Sequence, residues 1–422
     1  MKAHPEVSPA GTAFDGVDPH ALAEAVGTPC HVYSTAAIRE RIAGLHAALH
    51  DMRATLCYAV KANPNLAILK LMAAAGVGAD IVSAGEMWRA LRAGIPAGRI
   101  VFSGVGKRAD EIVAALDAGI MRFNVESEDE LVLLQRLARE RGHVAHAAVR
   151  INPDVDAGTH EKISTGKSEN KFGVSIVEAR RWVAESGSLT HVRLDGLHVH
   201  IGSQILSVDP FRLALARVAA FWRELRDGGH ALESIDVGGG LGVRYRAGDR
   251  PVEPSEYVAA IREALAGFEG RLLLEPGRYL VAEAGVLLTR VIRVKHGEQR
   301  RFLVLDAAMN DLQRPSLYDA WHDIVPLHDE ARAVQAYDVV GPVCESSDIF
   351  ARARDLPACE AGDLVAILAT GAYGASMANT YNSRPLAAEV MVDDGRYAVV
   401  RRRQSFDEMI AGEQPADHWQ SL

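Results

Sequence analysis

Cysteine is scarce in this chain. Only four occur in 422 residues (Cys30, Cys57, Cys344 and Cys359), far apart and without a CxxC pair. That excludes a disulfide-stapled scaffold and leaves no cysteine framework for a metal; free thiols in a chain of this size fit a reducing cytoplasm. Runs of basic charge are missing too. Lys and Arg total 46 against 55 Asp and Glu, a net charge of −9, so nothing suggests a nucleic-acid partner. No apolar run is long enough for a membrane. The most apolar stretch, 272–294, is broken by Glu275, Pro276, Arg278, Glu283, Arg290 and Arg293. Residues 1–10 lack the apolar core of a signal peptide. What remains is ordinary globular composition, 48% hydrophobic and 24% charged, in a chain long enough for two or three domains.

Short apolar runs alternate with amphipathic helical stretches from about residue 55 to 276. The runs are 56–60, 79–82, 99–102, 121–125, 144–151, 194–201, 234–237 and 272–275. Helical patterns cover 65–75, 84–93, 109–118, 128–141, 176–185, 209–226 and 254–268. Acids follow the cap in Ser127-Glu-Asp-Glu130, and Gly76, Gly94, Gly119, Gly142 and Gly187 end helical patterns. Eight strand–helix units predict a parallel (β/α)₈ barrel, with an open doubly wound sheet as the alternative. After residue 285 the runs 285–294, 301–305, 334–340, 364–369, 388–392 and 396–401 read as strands without long helices between them. The expectation is an α/β plus β chain: residues 36–285 form the barrel and 286–422 a β-sandwich or β-barrel domain. The strand-like piece 29–33 within residues 1–35 joins that second domain. The tail from about Asp407 reads as polar and irregular.

Chemistry in such a barrel gathers at the C-terminal ends of its strands. Lys61 follows the first run, and a lysine desolvated there is disfavoured as ammonium and favoured as an amine nucleophile that can hold an aldehyde as a Schiff base. Asp80, Arg150, His200 and Ser203 fall near later strand ends. The run Asp236-Val-Gly-Gly-Gly-Leu-Gly242 would let bare backbone N–H groups approach a phosphate. His198 and His200 are spaced like a metal pair, but no third ligand stands at a matching distance; His198 reads as a hydrogen-bonded strand residue and His200 as a flat stacking partner. Glu275 ends an apolar run and needs a cationic partner, which a protonated heterocyclic nitrogen would supply. Cys344 precedes Glu345, a neighbour that suits a proton donor more than a nucleophile, unless the thiol is simply buried and inert. The glycines of Gly371-Ala-Tyr-Gly374 imply tight backbone geometry around Tyr373.

Together these segments resemble the alanine-racemase-like (fold type III) pyridoxal-phosphate-dependent decarboxylases, in particular their diaminopimelate branch. The match runs over nearly the whole chain: Tyr58-Ala-Val-Lys-Ala-Asn-Pro64, His198-Val-His-Ile-Gly-Ser-Gln204, the glycine run, Glu275-Pro-Gly-Arg278, Cys344-Glu-Ser-Ser-Asp348 and Gly371-Ala-Tyr373. Thr165-Gly-Lys-Ser-Glu-Asn-Lys-Phe-Gly173 and the stretch from Asp306 to Tyr318 favour that branch. The resemblance implies pyridoxal 5'-phosphate bound covalently through Lys61. His200 would stack on its ring, Glu275 pair with the ring nitrogen, and Arg150 lie near the phenolic oxygen. Ser203, the glycine run (Gly238, Gly239, Gly240), Gly277, Arg278 and the Tyr373 hydroxyl would hold the phosphate. Arg278, Arg314 and Tyr318 would bind the substrate's distal carboxylate, with Glu345 on the distal amine and Tyr373 nearby. Cys344, contributed with Glu345 by the partner of a homodimer, would protonate the carbanion.

The implied reaction is decarboxylation of meso-2,6-diaminopimelate to L-lysine, the last step of lysine biosynthesis. Two arginines for a distal carboxylate make sense only if the substrate carries one. The rivals are a sister decarboxylase acting on D-ornithine, D-lysine or a carboxylated polyamine precursor, an amino-acid racemase, and a cofactor-less regulatory homologue. Glu275 argues against the racemase, which would place an arginine at the ring nitrogen. Lys61 and Glu275 together argue against the regulatory homologue.

Overall fold

The structure is a computed structural model that describes residues 14–155, 171–230, 232–328, 331–417 and 419. The stretch 1–10 and all but the last three residues of the motif 165–173 lie outside them. The chain divides into two compact units: 35–284 with 371–376, and 1–34 with 285–370 and 377–422.

The first unit is a closed barrel of eight parallel strands: β2 (Ala54–Ala59), β3 (Gly78–Ile81), β4 (Ile100–Phe102), β5 (Arg122–Val125), β6 (Ala145–Arg150), β7 (Val192–His198), β8 (Ser234–Asp236) and β9 (Arg271–Leu274). Ala54 opposite Leu272 closes it. The helices between strands start where the sequence offers a cap: the Ser83 hydroxyl accepts from the Glu86 N–H at 3.2 Å, and Ser127 from Glu130 at 3.3 Å. Gly119 and Gly142 end their helices in the left-handed conformation, φ 68° and 69°. The helix Asp209–Asp227 buries Phe211, Leu215, Val218 and Trp222 at three- and four-residue spacing, each worth about 1.5–3 kcal/mol when fully covered. Within the barrel Cys57, Val101 and Leu273 form one small apolar cluster, with Met121 packed against it.

In the second unit the strand order is β14-β13-β11-β10-β1-β16-β17, with β12 and β15 off that path. The strands are β1 (Cys30–Ser34), β10 (Gly285–His296), β11 (Arg301–Leu305), β12 (Ile324–Pro326), β13 (Val334–Val340), β14 (Ile349–Pro357), β15 (Leu364–Ile367), β16 (Ala388–Asp393) and β17 (Arg396–Arg401). The N-terminal strand β1 joins this sheet as expected, antiparallel to β10 and parallel to β16. Several elements went unread in the sequence, among them the helices Pro19–Val26, Arg278–Val281 and Arg314–Tyr318. The helix Thr35–Ala48 buries Ile38, Ile42 and Leu45 but is otherwise polar. The edge strand β14 carries Arg352, Arg354 and Asp355, charges that blunt an edge and mask the alternation. β12 has only three residues. The run 194–201 is strand only to His198; in the tail, Phe406–Met409 forms one helical turn capped by Ser405.

Candidate active site

Lys61 sits just beyond β2, in a 3₁₀ turn, Val60–Ala62, that the neighbouring residues fix. The Tyr58 hydroxyl donates to the Asn63 carbonyl at 3.0 Å. The buried Asn63 amide donates to the Gly371 carbonyl at 3.0 Å, and its oxygen accepts from the Asn65 N–H at 3.1 Å. Asn65 then caps the helix Leu66–Ala74. Lys61 Nζ lies 3.1 Å from Asp80 Oδ2; the lysine side chain is 42% exposed and the aspartate fully covered. This corrects the expected electrostatics. Burial does push the ammonium down, but Asp80, then Tyr373 and Glu275, outweigh it and hold the lysine above its ordinary pKa. The amine is therefore kept charged until something displaces or neutralises that carboxylate field.

Behind Lys61 the barrel interior is polar. Glu275 Oε2 lies 3.1 Å from His198 Nε2, and its Oε1 accepts from Asn124 Nδ2 at 3.2 Å and Ser103 Oγ at 3.4 Å. Burial raises the Glu275 pKa, but the charge and hydrogen bond of His198, then Lys61, hold it well below the usual carboxylate range. Asp236 goes the other way: burial and the adjacent Glu275 push it well up, while the Gly238 N–H donates to its Oδ1 at 2.9 Å. Two neighbouring acids are thus pushed in opposite directions, Glu275 toward the ionised form and Asp236 toward the protonated one. His198 and His200, spaced like a metal pair in the sequence, do not share a cluster of ligand-type atoms among the described residues; His198 has other neighbours of that kind. His198, Asp236 and Glu275 present ligand-type atoms all within 4.8 Å of one another. The sequence could not bring them together, because they lie on β7, on β8 and after β9.

The His200 ring accepts from the Gly239 N–H at Nδ1, 3.2 Å away, which assigns the ring proton to Nε2. Burial, then Arg150 and Lys61, hold His200 well below its ordinary pKa, so the ring is neutral. The glycine run works differently from the expected row of bare amides: the N–H groups of Gly238 and Gly239 serve Asp236 and His200. Among the described residues the Gly240 N–H has no such partner. The glycines are needed for closeness. A Cβ on Gly238, Gly239 or Gly240 would come within 2.3, 2.3 and 2.7 Å of the carbonyl oxygens of Val199, Glu275 and Gly202. Gly277 likewise faces Ala59 and Ala62, 3.0 and 3.2 Å from where its Cβ would stand.

Arg278 is buried. Its Nε and Nη2 donate to Ser203 Oγ at 3.2 and 3.0 Å and its Nη1 to the Tyr245 hydroxyl at 2.6 Å. Its guanidinium lies 4.7 Å from the centre of the Tyr373 ring. Tyr373 has φ 57°, the left-handed strain that the flanking glycines anticipated, and its N–H donates to the Ala62 carbonyl at 2.8 Å. Arg150 Nη1 donates to Glu126 Oε1 at 2.8 Å. That glutamate, unread in the sequence, also accepts from the N–H groups of Gly104 and Gly173 at 2.9 and 3.1 Å. Its signal was a charged residue directly after the apolar run 121–125.

The remaining expected residues belong to the other unit. Arg314 opens the short helix Arg314–Tyr318 and donates to His322 Nε2 at 2.7 Å, while His322 Nδ1 bonds the Leu368 carbonyl at 2.7 Å. Tyr318 is half-buried at the end of the same turn. The Cys344 thiol is exposed, not buried and inert, and the Cys344 N–H donates to Asn382 Oδ1 at 2.8 Å. Glu345 is exposed beside it. Asp348 fixes this loop by accepting from the N–H groups of Met309 and Val343, both at 2.7 Å.

Residues 35–282 match the family model described as pyridoxal-dependent decarboxylase, pyridoxal binding domain. The chain belongs to the pyridoxal-dependent decarboxylases. It is 49% identical over 401 residues to a diaminopimelate decarboxylase of Zymomonas mobilis, covering 94% of this chain and 95% of that one. A diaminopimelate decarboxylase of Pseudomonas fluorescens is 48% identical over 400 residues, 94% and 96% of the two chains. Among solved structures, diaminopimelate decarboxylase from Helicobacter pylori complexed with L-lysine superposes with a TM-score of 0.91 at 42% identity, covering 94% of this chain and 99% of that one.

The barrel residues fit the group for which this family is named. An amine stands at the strand ends, a buried carboxylate is held ionised beneath it, and a neutral imidazole and a glycine-only backbone cradle flank it. A pyridine nitrogen wants the ionised acid, an aldehyde wants the amine, and a phosphate wants close backbone and guanidinium donors.

Proposed function

We propose that this chain decarboxylates meso-2,6-diaminopimelate to L-lysine and CO₂, using pyridoxal 5'-phosphate, as a homodimer. The observation that carries the reading is that one barrel mouth holds both Lys61, ion-paired with Asp80, and a buried Glu275 held in its ionised form. Pyridoxal phosphate, when bound, supplies an aldehyde and an electron-accepting pyridinium ring. Lys61 would anchor it, Glu275 would keep the ring nitrogen protonated, and His200 would offer its flat neutral ring. Arg150 would serve the phenolic oxygen. Ser203, the glycine run and Gly277 would hold the phosphate, together with Arg278 and Tyr373.

For the substrate, Arg278 and Arg314 supply positive charge to a distal carboxylate, and Tyr318 and Tyr373 add hydroxyl donors. Arg278 donates to the hydroxyls of Ser203 and Tyr245 and Arg314 to the His322 imidazole, bonds that fix where the two guanidinium groups stand. Ornithine or lysine as substrate would offer that charge no partner. Glu345 would accept the distal amine, and Cys344 delivers the proton that replaces CO₂; both come from the partner subunit. The relatives' names and the lysine bound in the Helicobacter pylori structure support this substrate.

Mass spectrometry of the product from meso-diaminopimelate tests the reaction. L-lysine is expected; no lysine, with product from D-ornithine or D-lysine instead, would overturn the assignment. Borohydride reduction followed by peptide mapping tests the anchor. A pyridoxyl tag on the Lys61 peptide is expected, and none should remain in Lys61→Ala.

A further inference from the structure

At the opposite end of the barrel, where the parallel strands begin, a second polar cavity opens. Its volume is about 450 Å³, within the range of small-molecule sites. Arg53 precedes β2, Arg122 opens β5, His146 lies near the start of β6, Ser234 opens β8 and Arg271 opens β9. Three arginines and a single carboxylate, Glu233, line it. Nothing in the proposed reaction uses these groups.

Arg122 is the anchor of this floor. It is 5% exposed inside the barrel, and the neighbouring strands are shaped around it. A Cβ on Gly196 would stand 2.3 Å from Arg122 Nη1, 2.8 Å from Ser234 Oγ and 3.0 Å from Ala148 Cβ, so the glycine makes room for the guanidinium. The register of β6 against β7 shifts at this point, pairing Ala147 with Leu194 but Ala148 with Gly196. A bulge of that kind re-aims a side chain, here Asp195. Its carboxylate accepts from Arg122 Nη2 at 3.2 Å and lies 2.5 Å from His146 Nδ1, while Arg122 Nη1 bonds Ser234. Asp195 is thereby consumed. Arg122 Nε remains buried without a hydrogen-bond partner, an expensive state for a guanidinium donor.

Arg53 and Arg271 add the charge that Asp195 cannot neutralise. Among the described residues neither makes a salt bridge. Arg271 lies close enough to oppose the charge on Arg122. Three arginines against two carboxylates, Asp195 and Glu233, leave a net positive well. Guanidinium forks match an oxyanion bidentately.

We infer that this cavity at the strand N-terminal ends is a second binding site, for a small oxyanion: inorganic phosphate or a phosphate monoester. The bland reading is that Arg122 merely plugs the barrel floor while Arg53 and Arg271 are solvated surface cations. The two readings differ in saturable binding.

The test uses the protein carrying its pyridoxal cofactor, so that the phosphate cradle at the other mouth is already filled. Phenylglyoxal labelling is mapped by peptide, with increasing inorganic phosphate and with chloride at matched ionic strength. Phosphate should protect the Arg271 and Arg53 peptides saturably in the low millimolar range or below, and chloride should not. Equal protection by chloride would mean screening alone and would overturn the site. Calorimetry then compares the wild type with the Arg53→Gln/Arg271→Gln double variant, its cofactor absorbance serving as a check of folding. Affinity should fall at least tenfold; unchanged affinity would refute the assignment. Displacement of phosphate by glycerol phosphate would extend the site to monoesters, and failure to displace it would restrict the site to the free ion. The labelling arm needs no variant, so it decides even if the double variant fails to fold.

Discussion

Glu126→Gln is the most discriminating perturbation of the barrel mouth. The side chains of Arg150 and Glu126 are 7% and 1% exposed, so the glutamine strands a buried guanidinium. Breaking a buried pair in this way costs roughly 3–5 kcal/mol. Glutamine keeps one carbonyl acceptor for Arg150 or Gly104 but turns an N–H toward a backbone donor. The expected loss is thus near the low end, about 3 kcal/mol. Urea unfolding, followed through the bound cofactor's absorbance, reads the barrel unit. The pH dependence sharpens the test. Burial pushes the Glu126 carboxyl up, yet Arg150 and Lys107 hold it below its ordinary value. A depressed carboxyl stabilises the fold above its unfolded pKa of about 4.3, and that contribution fades as pH falls through the lower folded value. The gap between wild type and variant should therefore narrow in acid. Adding Arg150→Met should recover most of the loss. A gap under about 1 kcal/mol at neutral pH, or one unchanged in acid, would refute the ion-pair argument.

Three further outcomes follow from the same geometry. Gly239→Ala places a methyl 2.3 Å from the Glu275 carbonyl oxygen, and should cost about 1–3 kcal/mol in thermal stability with faster cofactor loss on dialysis. Cys344→Ala should lower turnover on the order of 10²–10⁴, the usual worth of a positioned acid; wild-type turnover would remove Cys344 from the chemistry. His322→Phe deletes the acceptor that orients Arg314 at 2.7 Å. A charge-assisted bond is worth about 1.5–3 kcal/mol, so kcat/KM should fall roughly 10- to 150-fold, mostly through KM, and an unchanged KM would rule out the orienting role.

Much of the barrel is legible in the sequence because its strands are short apolar runs and its helices carry caps. Glu128–Arg141 could be bounded from Ser127 and Gly142 alone. β14 resisted because Arg352, Arg354 and Asp355 interrupt its apolar side, as an edge strand permits. Lys61, His200 and Glu275 could be singled out because each stands at the end of an apolar run. Asp236 and Glu126 could not be assigned their roles, since their partners come from other strands. The sign of the Lys61 shift failed for the same reason. Local sequence shows a lysine entering a buried region, but the carboxylate that decides its charge lies on β3.

The barrel interior explains why function, not stability, governs these positions. A barrel built only to be stable fills its centre with branched aliphatic side chains in layers. Here a small apolar cluster of Cys57, Val101 and Leu273 shares the barrel with Asp80, Asp236 and Glu275, which stand buried near one another. Each ionised acid would cost several kcal/mol if left uncompensated. Asp80 is compensated by Lys61 and Glu275 by His198, while Asp236 is pushed toward its protonated form and accepts from the Gly238 N–H. Removing any one partner shifts the proton balance of the others, because the three acids feel each other through burial rather than through water. The chain therefore keeps Glu275 ionised only as part of a set, and the proposed pairing with a cationic ring nitrogen would depend on that set.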